Sequence, residues 1–425
     1  MAILRLLSTR HEISGVIHGS AFLLASAGFG YVDTLIPARY HWFLQGMIAK
    51  RNTRRIFRYY VRLEEFFGAK DFVAHDPRET AANIMRYRGK YDAIREIYEK
   101  VLYADLVVIH GEGDMVFTTP PRREALFLLG MAELGLHLNK RVVFANALVS
   151  DCPVTGCNRL TVEYARRTLS RCHAVVVRDH QSLEYVRRAM PEARCTLVPD
   201  TLFTWYPTID EFGANVPKNG DFVLPFPEAK TNLGKLDFSK PYICIGGSAL
   251  AARSPDRARE HFTRLLKRTQ ELGYPVYLAE GCGGDSFLAE IAAGEGVGIV
   301  PVYTSVFMAA AILANAKLLI SGRYHPTILA SLGGTPCIFL GSSAHKMHSL
   351  QDLLEYEHVQ EFPVFPSDRE MDDIVALARG YLDRGESMRR RVKDAARRRC
   401  EEAIRLPEVI FGESPGQVIS QEAEP

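Results

Sequence analysis

An excess of charge of either sign is nearly absent from this chain. Its 52 Lys and Arg stand against 50 Asp and Glu, a formal net charge of +2. Proteins held to nucleic acid by overall attraction carry a stronger basic excess, so no nucleic-acid partner is expected. Cysteine is also sparse. Cys152, Cys157, Cys172, Cys195, Cys244, Cys282, Cys337 and Cys400 are scattered over 425 residues. That spacing builds no disulfide framework, and reduced thiols in a cytoplasmic setting follow. Cys152 and Cys157 are too far apart for a CxxC pair and have no second pair nearby, so no metal site is expected. No P-loop, no GxGxxG dinucleotide spacing, no HExxH and no GxSxG stands in a suitable place, which argues against ATP hydrolysis, NAD chemistry and the commoner hydrolases. What is present is 47% hydrophobic residues, enough for real cores and too many for a disordered chain.

One long apolar run stands near the start. Val16–Pro37 is long enough to consider as a membrane span, but it carries His18 and Asp33. No small-residue cleavage site follows at the distance a secretory signal needs. It reads as a buried strand–loop–helix start, with a spanning helix as the alternative. From Arg39 to Arg62 the chain has basic residues and no acid, interleaved with Trp42, Phe43, Phe57, Tyr59 and Tyr60. Such a segment is either a solvated helix face or a surface for an anionic membrane, which would place the protein peripherally at the inner face.

From about residue 100, short apolar runs alternate with helical spacing. Strands are expected at 105–110, 141–147, 174–177 and 195–198, with helices at 123–138, 160–172 and 182–190. Pro207, Pro217, Pro225, Pro227 and Pro241 then interrupt the pattern as a linker. The alternation resumes with strands at 242–245, 276–280, 317–320 and 337–340 and helices at 255–272, 306–315 and 327–332. Helices at 370–382 and 388–404 follow. Continuous apolar strands between helices mean parallel sheets covered on both faces. The fold class is therefore α/β, with two Rossmann-like lobes and a ligand cleft between them. The expected divisions are an N-terminal lobe over 1–215, its first hundred residues atypical, a C-terminal lobe over 238–370, and terminal helices over 371–412.

The sharpest loop is Ser321-Gly322-Arg323-Tyr324-His325-Pro326, which leaves a strand and opens a helix. Pro326 suits the first helical turn, where its missing N–H is no loss. A helix start favours an anion, Arg323 adds a planar fork, and His325 can act as acid or base near neutral pH. The competing reading pairs Arg323 with a structural acid and leaves His325 as a cap. Lys346, in the loop after the next strand, either reaches the same anion or is solvated. Gly111-Glu112-Gly113-Asp114 offers Glu112 or Asp114 as a general base, or else is a turn. Arg178 ends a strand and could clamp an anion. Asp179 reads as an N-cap and Asp200 as structural. Gly246-Gly247-Ser248 and Gly281-Cys282-Gly283-Gly284-Asp285 let backbone approach a phosphate or sugar closely, which makes Gly247 and Ser248 donor-binding candidates.

The run Leu319-Ile320-Ser321-Gly322-Arg323-Tyr324-His325, with Gly334-Thr335-Pro336 and Lys346-Met347 after it, resembles the second-lobe signature of the polysaccharide pyruvyl transferases. Ala104–Val108 leading to Gly111–Asp114, Val177-Arg178-Asp179 and Val198-Pro199-Asp200 are similar to its first-lobe motifs. The resemblance implies a fold like the two-lobed GT-B transferases and transfer of a pyruvyl group from phosphoenolpyruvate to a saccharide, forming a ketal. The acceptor would belong to a surface polysaccharide or its precursor, lipid-linked or free. Arg178, Gly322, Arg323 and His325 would hold the donor, with Lys346 beside them. His325 would be the acid and Glu112 or Asp114 the base, with no metal or cofactor. Two alternatives remain: a glycosyltransferase with a nucleotide-activated sugar such as a CMP-linked acid, and a non-catalytic sugar- or anion-binding protein. The first hundred residues depart from the family pattern, which usually opens on a strand and an Asn-x-Gly-Asp-like loop.

Overall fold

The computed structural model describes residues 2–18, 31–33, 72–213, 216–223 and 234–412. The basic aromatic segment 39–62 lies outside them, as do Pro225 and Pro227. Of the apolar run Val16–Pro37, only β1 (Val16–His18) and β2 (Tyr31–Asp33) are described, and they pair in parallel. Among the described residues no helix is long and apolar enough to cross a membrane.

The chain divides into two compact units. The first holds residues 1–198 and 404–425, and the second holds 199–403. The expected boundary near 215 is thereby corrected to 198/199. Pro199–Gly213 folds with the second unit because Phe203, Trp205 and Ile209 bury their side chains. The terminal segment also differs from the expectation. The helix Asp368–Ala403 belongs to the second unit, whereas the short helix Leu406–Phe411 returns to the first.

Among the described residues the first unit has a four-stranded parallel sheet in the order β3 (Leu106–Phe117), β4 (Arg141–Asp151), β5 (Ala174–Val177), β6 (Cys195–Leu197). Helices Arg123–His137, Arg159–Leu169 and His180–Ala189 connect these strands. β3 and β4 run well past the ends expected for them. Gly111–Asp114 is no free loop; it is a bulge inside β3, where pairing with β4 shifts between Glu112 and Met115. A bulge re-aims the side chains it carries. One core includes Ile84, Ile97, Leu129, Phe144 and Val175. A second cluster joins Ile3 and Leu7 to Val143, Ala145, Val176 and Val198, closed by Leu406 and Ile410 from the returning end of the chain. Arg141 fastens that end by donating to the carbonyls of Ile410 and Phe411 at 2.8 and 3.2 Å.

The second unit is a six-stranded parallel sheet: β7 (Ile243–Ser248), β8 (Val276–Ala279), β9 (Ile299–Val300), β10 (Leu318–Gly322), β11 (Cys337–Leu340) and β12 (Glu361–Phe362), in the order β12-β11-β10-β7-β8-β9. β7, β8, β10 and β11 are buried along their whole length, as two-sided burial requires of apolar strands. The two terminal helices expected at 370–382 and 388–404 lie within Asp368–Ala403 on either side of Gly385, whose φ of 48° is not helical and is one a side chain rarely adopts. Its basic residues are largely absorbed locally. Arg384 and Arg391 meet Glu357, while Arg398 and Arg399 meet Glu355.

Candidate functional site

In open parallel sheets the loops at the carboxyl ends of the strands carry the chemistry. In the second unit those loops follow β7, β8, β10 and β11. Ser321 sets the local geometry. Its hydroxyl accepts from the Arg323 N–H at 3.0 Å and donates to the Gly247 carbonyl at 3.3 Å, tying the end of β10 to the end of β7. Arg323 is the extended N-cap of the helix Tyr324–Leu332, which holds Tyr324, His325 and Pro326 in its first turn.

His325 is presented rather than buried, with 39% of its side chain exposed. Its Nε2 lies 3.7 Å from Oδ2 of Asp200, whose side chain is only 3% exposed. Asp200 has a second task, because its Oδ1 accepts from the Leu202 N–H at 2.9 Å and caps the 3-10 turn Thr201–Trp205. One carboxylate thus caps a turn with one oxygen and faces the imidazole with the other. A buried carboxylate at this range restricts how the imidazole can turn.

Arg323 is not the bare cation that an anion grip would use. Its Nε donates to Oδ1 and Oδ2 of Asp285 at 3.1 and 3.0 Å, and its Nη2 donates to Oδ1 at 2.6 Å. Asp285 is fully buried, so an opposite charge beside it is required. The expectation that Arg323 offers its whole fork to a ligand needs this correction, and the competing reading of a structural acid is met in part. Among the described residues Nη1 makes no hydrogen bond or ion pair.

Three further donor-binding assignments change with the packing. Ser248 is fully buried and its hydroxyl donates to the Gly341 carbonyl at 2.6 Å, closing β7 onto the end of β11 across β10. Gly247 is needed for room, because a Cβ there would lie 2.0 Å from Oδ1 of Asp285. Gly322 is needed for the same kind of reason, since a Cβ would lie 2.6 Å from Cβ of Ser248. These three positions let strand ends approach one another, and no polar side-chain group remains at them for a ligand. Lys346 opens the helix Lys346–Leu353 close enough to Glu361 for its charge to act there. Burial pushes the Glu361 carboxyl up, and the hydrogen bond it accepts from the Ser342 N–H, with His348, Lys346 and His345 nearby, holds it back.

In the first unit the β3 bulge gathers a charged network. Arg178, at the end of β5, is 1% exposed, with Nη1 at 3.8 Å from Oε1 of Glu112. Glu112 adopts φ of +39°, an uncommon conformation for a residue with a side chain. Arg122 binds the other flank, with Nη2 donating to Oδ1 of Asp114 at 2.6 Å and Nη1 to the Gly113 carbonyl at 3.1 Å. Burial pushes the Asp114 carboxyl above its ordinary value; Arg122 pulls it down, and Glu112 raises it further. The structure therefore brings Arg178, Glu112, Asp114 and Arg122 together. Asp179 caps the helix His180–Ala189 by accepting from the Ser182 N–H at 2.7 Å, as read from the sequence.

Sequence reasoning missed the roles of Asp285 and Arg122 and gave Asp200 no imidazole to face. The signal for Asp285 was two glycine loops without phosphate-loop spacing, since glycine also makes room for the chain's own groups. Among the described residues no cluster of three or more His, Cys, Asp or Glu is arranged to hold a metal ion.

Among solved structures the chain is similar to the spinosyn rhamnosyltransferase SpnG, at 12% identity and a TM-score of 0.45, over 97% of this chain and 95% of that one. It is similar to the UDP-GlcNAc 2-epimerase from Neisseria meningitidis bound to UDP-GlcNAc, at 8% identity and a TM-score of 0.46, over 76% and 81% of the two chains. The UDP-GlcNAc 2-epimerase from Methanocaldococcus jannaschii gives 12% identity and a TM-score of 0.42, over 70% and 74%. Likenesses at this level carry no chemistry across. A comparison with curated proteins gave no significant match. The sequence model of the family described as Polysaccharide pyruvyl transferase matches residues 18–344, well over half of the chain and spanning both His325 and the Gly111–Asp114 bulge. On that match, the chain belongs to the polysaccharide pyruvyl transferase family.

Proposed function

We propose that the protein transfers a pyruvyl group from phosphoenolpyruvate to two hydroxyls of a saccharide, forming a ketal and releasing inorganic phosphate. The observation that carries this reading is the His325–Asp200 pair. It is an exposed imidazole in the first turn of a helix, at a strand's carboxyl end, backed by a buried carboxylate. A proton goes from His325 to the methylene carbon of the donor, and a saccharide hydroxyl bonds to the former enol carbon. The carbon–oxygen bond to phosphate then breaks, and the second hydroxyl takes its place. Glu112 and Asp114 are the candidate bases for the hydroxyl protons. Asp114, with its raised carboxyl, holds a proton more readily than an ordinary carboxylate. The Nη1 edge of Arg323 supplies a directed hydrogen bond to the donor's phosphate or carboxylate. Arg178, buried against Glu112, orders the bulge. Lys346 adds positive charge near the end of β11. The acceptor belongs to a surface polysaccharide or its precursor.

A donor screen tests the reading. Phosphoenolpyruvate is expected to raise the melting temperature of the full chain and CMP and UDP to leave it unchanged, because a ligand that binds only the folded state stabilises it. Incubation with phosphoenolpyruvate and a saccharide mixture is expected to release phosphate and to yield a product heavier by one pyruvyl ketal. Stabilisation by a nucleotide alone would transfer the assignment to a nucleotide-sugar glycosyltransferase.

A further inference from the structure

Asp285 has no part in the reaction as set out above, yet the ends of three neighbouring strands are arranged around it. It follows β8 in the 3-10 turn Gly283–Asp285, and its partner Arg323 follows β10. Between those strands lies β7, which ends at Gly246-Gly247-Ser248. The guanidinium therefore reaches over the end of β7, where Gly247 has no side chain to obstruct the carboxylate. Gly281 completes the cradle from β8, its N–H donating to Oδ2 of Asp285 at 3.0 Å. A Cβ at Gly281 would meet Pro326 at 3.1 Å and Arg323 at 3.4 Å. A forked arginine–carboxylate pair fixes the plane as well as the position of the guanidinium.

We propose that Asp285 is a positioning residue for Arg323: by holding the Nε and Nη2 edge it fixes the guanidinium across the end of β7 and leaves the Nη1 edge to meet the anionic group of the donor. The inference rests on the reading of the chain as a phosphoenolpyruvate-dependent transferase. It sets the character of the contact. The pair carries no net charge, so Arg323 selects the donor by direction rather than by attraction, and the Arg323 side chain, 16% exposed, keeps one edge for that purpose. A carboxylate that served the fold alone would need only to be neutralised; here Asp285 also dictates which face of its partner remains.

The test is a double-mutant cycle on the full chain, read as KM for phosphoenolpyruvate and kcat for phosphate release, with melting temperatures recorded for each chain. Asp285→Asn keeps the volume and the acceptor for Gly281 but loses the charged fork. It is expected to raise KM by about tenfold or more, the weight of a charge-assisted hydrogen bond, with kcat changed less. In an Arg323→Gln background the same change is expected to add no further loss, because Asp285 acts through Arg323. Losses that multiply, or an unchanged KM, overturn the inference. If Asp285→Asn does not fold, Arg323→Lys carries the test: it keeps the charge but cannot fork onto Asp285, so KM must rise and an unchanged KM overturns. Wild-type chain that turns over no phosphoenolpyruvate refutes the reaction itself, an outcome separate from either of these.

Discussion

Asp200→Asn separates the two tasks of one side chain. Oδ1 accepts from the Leu202 N–H, and Asn serves that position as well as Asp, so the cap survives. Oδ2 faces His325 at 3.7 Å, and there the substitution removes a unit charge. Two unit charges near 4 Å interact by about 4 kcal/mol at the surface of a protein and about 1 kcal/mol in bulk water. With 39% of the imidazole exposed, the lower part of that range applies. A loss of about 1–2 kcal/mol in the transition state for proton transfer corresponds to roughly 5–30-fold in kcat/KM. The assay is phosphate release at saturating and limiting phosphoenolpyruvate, alongside urea unfolding of wild type, Asp200→Asn and Asp200→Ala. Asp200→Ala is expected to lose the cap as well, at a cost of about 0.5–2 kcal/mol in stability. Full turnover by Asp200→Asn would remove Asp200 from the proton transfer. Equal destabilisation by Asn and Ala would show that Asn does not preserve the cap and would refute the separation of the two tasks.

Other outcomes follow from the first unit. Gly111→Ala would put a Cβ 2.6 Å from Cβ of Ala147 and 2.8 Å from the Phe144 ring, so urea unfolding should show a loss of about 1–3 kcal/mol, and turnover should fall because the bulge carrying Glu112 and Asp114 shifts. Asp114 has a folded-state value above its unfolded one, so its contribution favours the fold below that window and is lost as pH rises through it; Asp114→Asn should abolish that slope in stability against pH. If Asp114 is the base, the acid limb of kcat/KM lies above the ordinary carboxylate range, and an unchanged limb in Asp114→Asn would assign the role to Glu112. The basic segment 39–62, read from sequence alone, should support vesicle flotation on anionic lipid that weakens as salt rises; no flotation at low salt returns it to a solvated helix.

Most of the layered architecture was legible because its strands are short, apolar and buried on both faces. Cys337–Leu340 and the helix Val306–Asn315 have the bounds expected of them. What escaped was short or conditional on distant chain. The helix Phe287–Glu295 and the two-residue β9 leave too little periodicity to read. β3 runs through Gly111–Asp114 because a bulge lets it keep pairing with β4, and glycines alone suggested a turn. At the site, the position of His325 followed from a strand, a Pro and a helix start within a few residues. The partner of Arg323 lies 38 positions away, and no local pattern connects Arg323 to Asp285. The membership of Leu406–Phe411 in the first unit was hidden for the same reason, since Arg141, which holds its last carbonyls, lies about 270 positions earlier.

That return has a consequence for how the chain comes to be folded during synthesis. Leu406 and Ile410 sit among Ile3, Val143 and Val176, and Arg141 holds the last carbonyls. The opening half of the polypeptide cannot close this cluster while the ribosome is still making the second half, whereas residues 199–403 form one contiguous stretch. The unit translated first is thus the last to be finished, and a stop codon just after Ala403 would wound the beginning of the protein rather than its end.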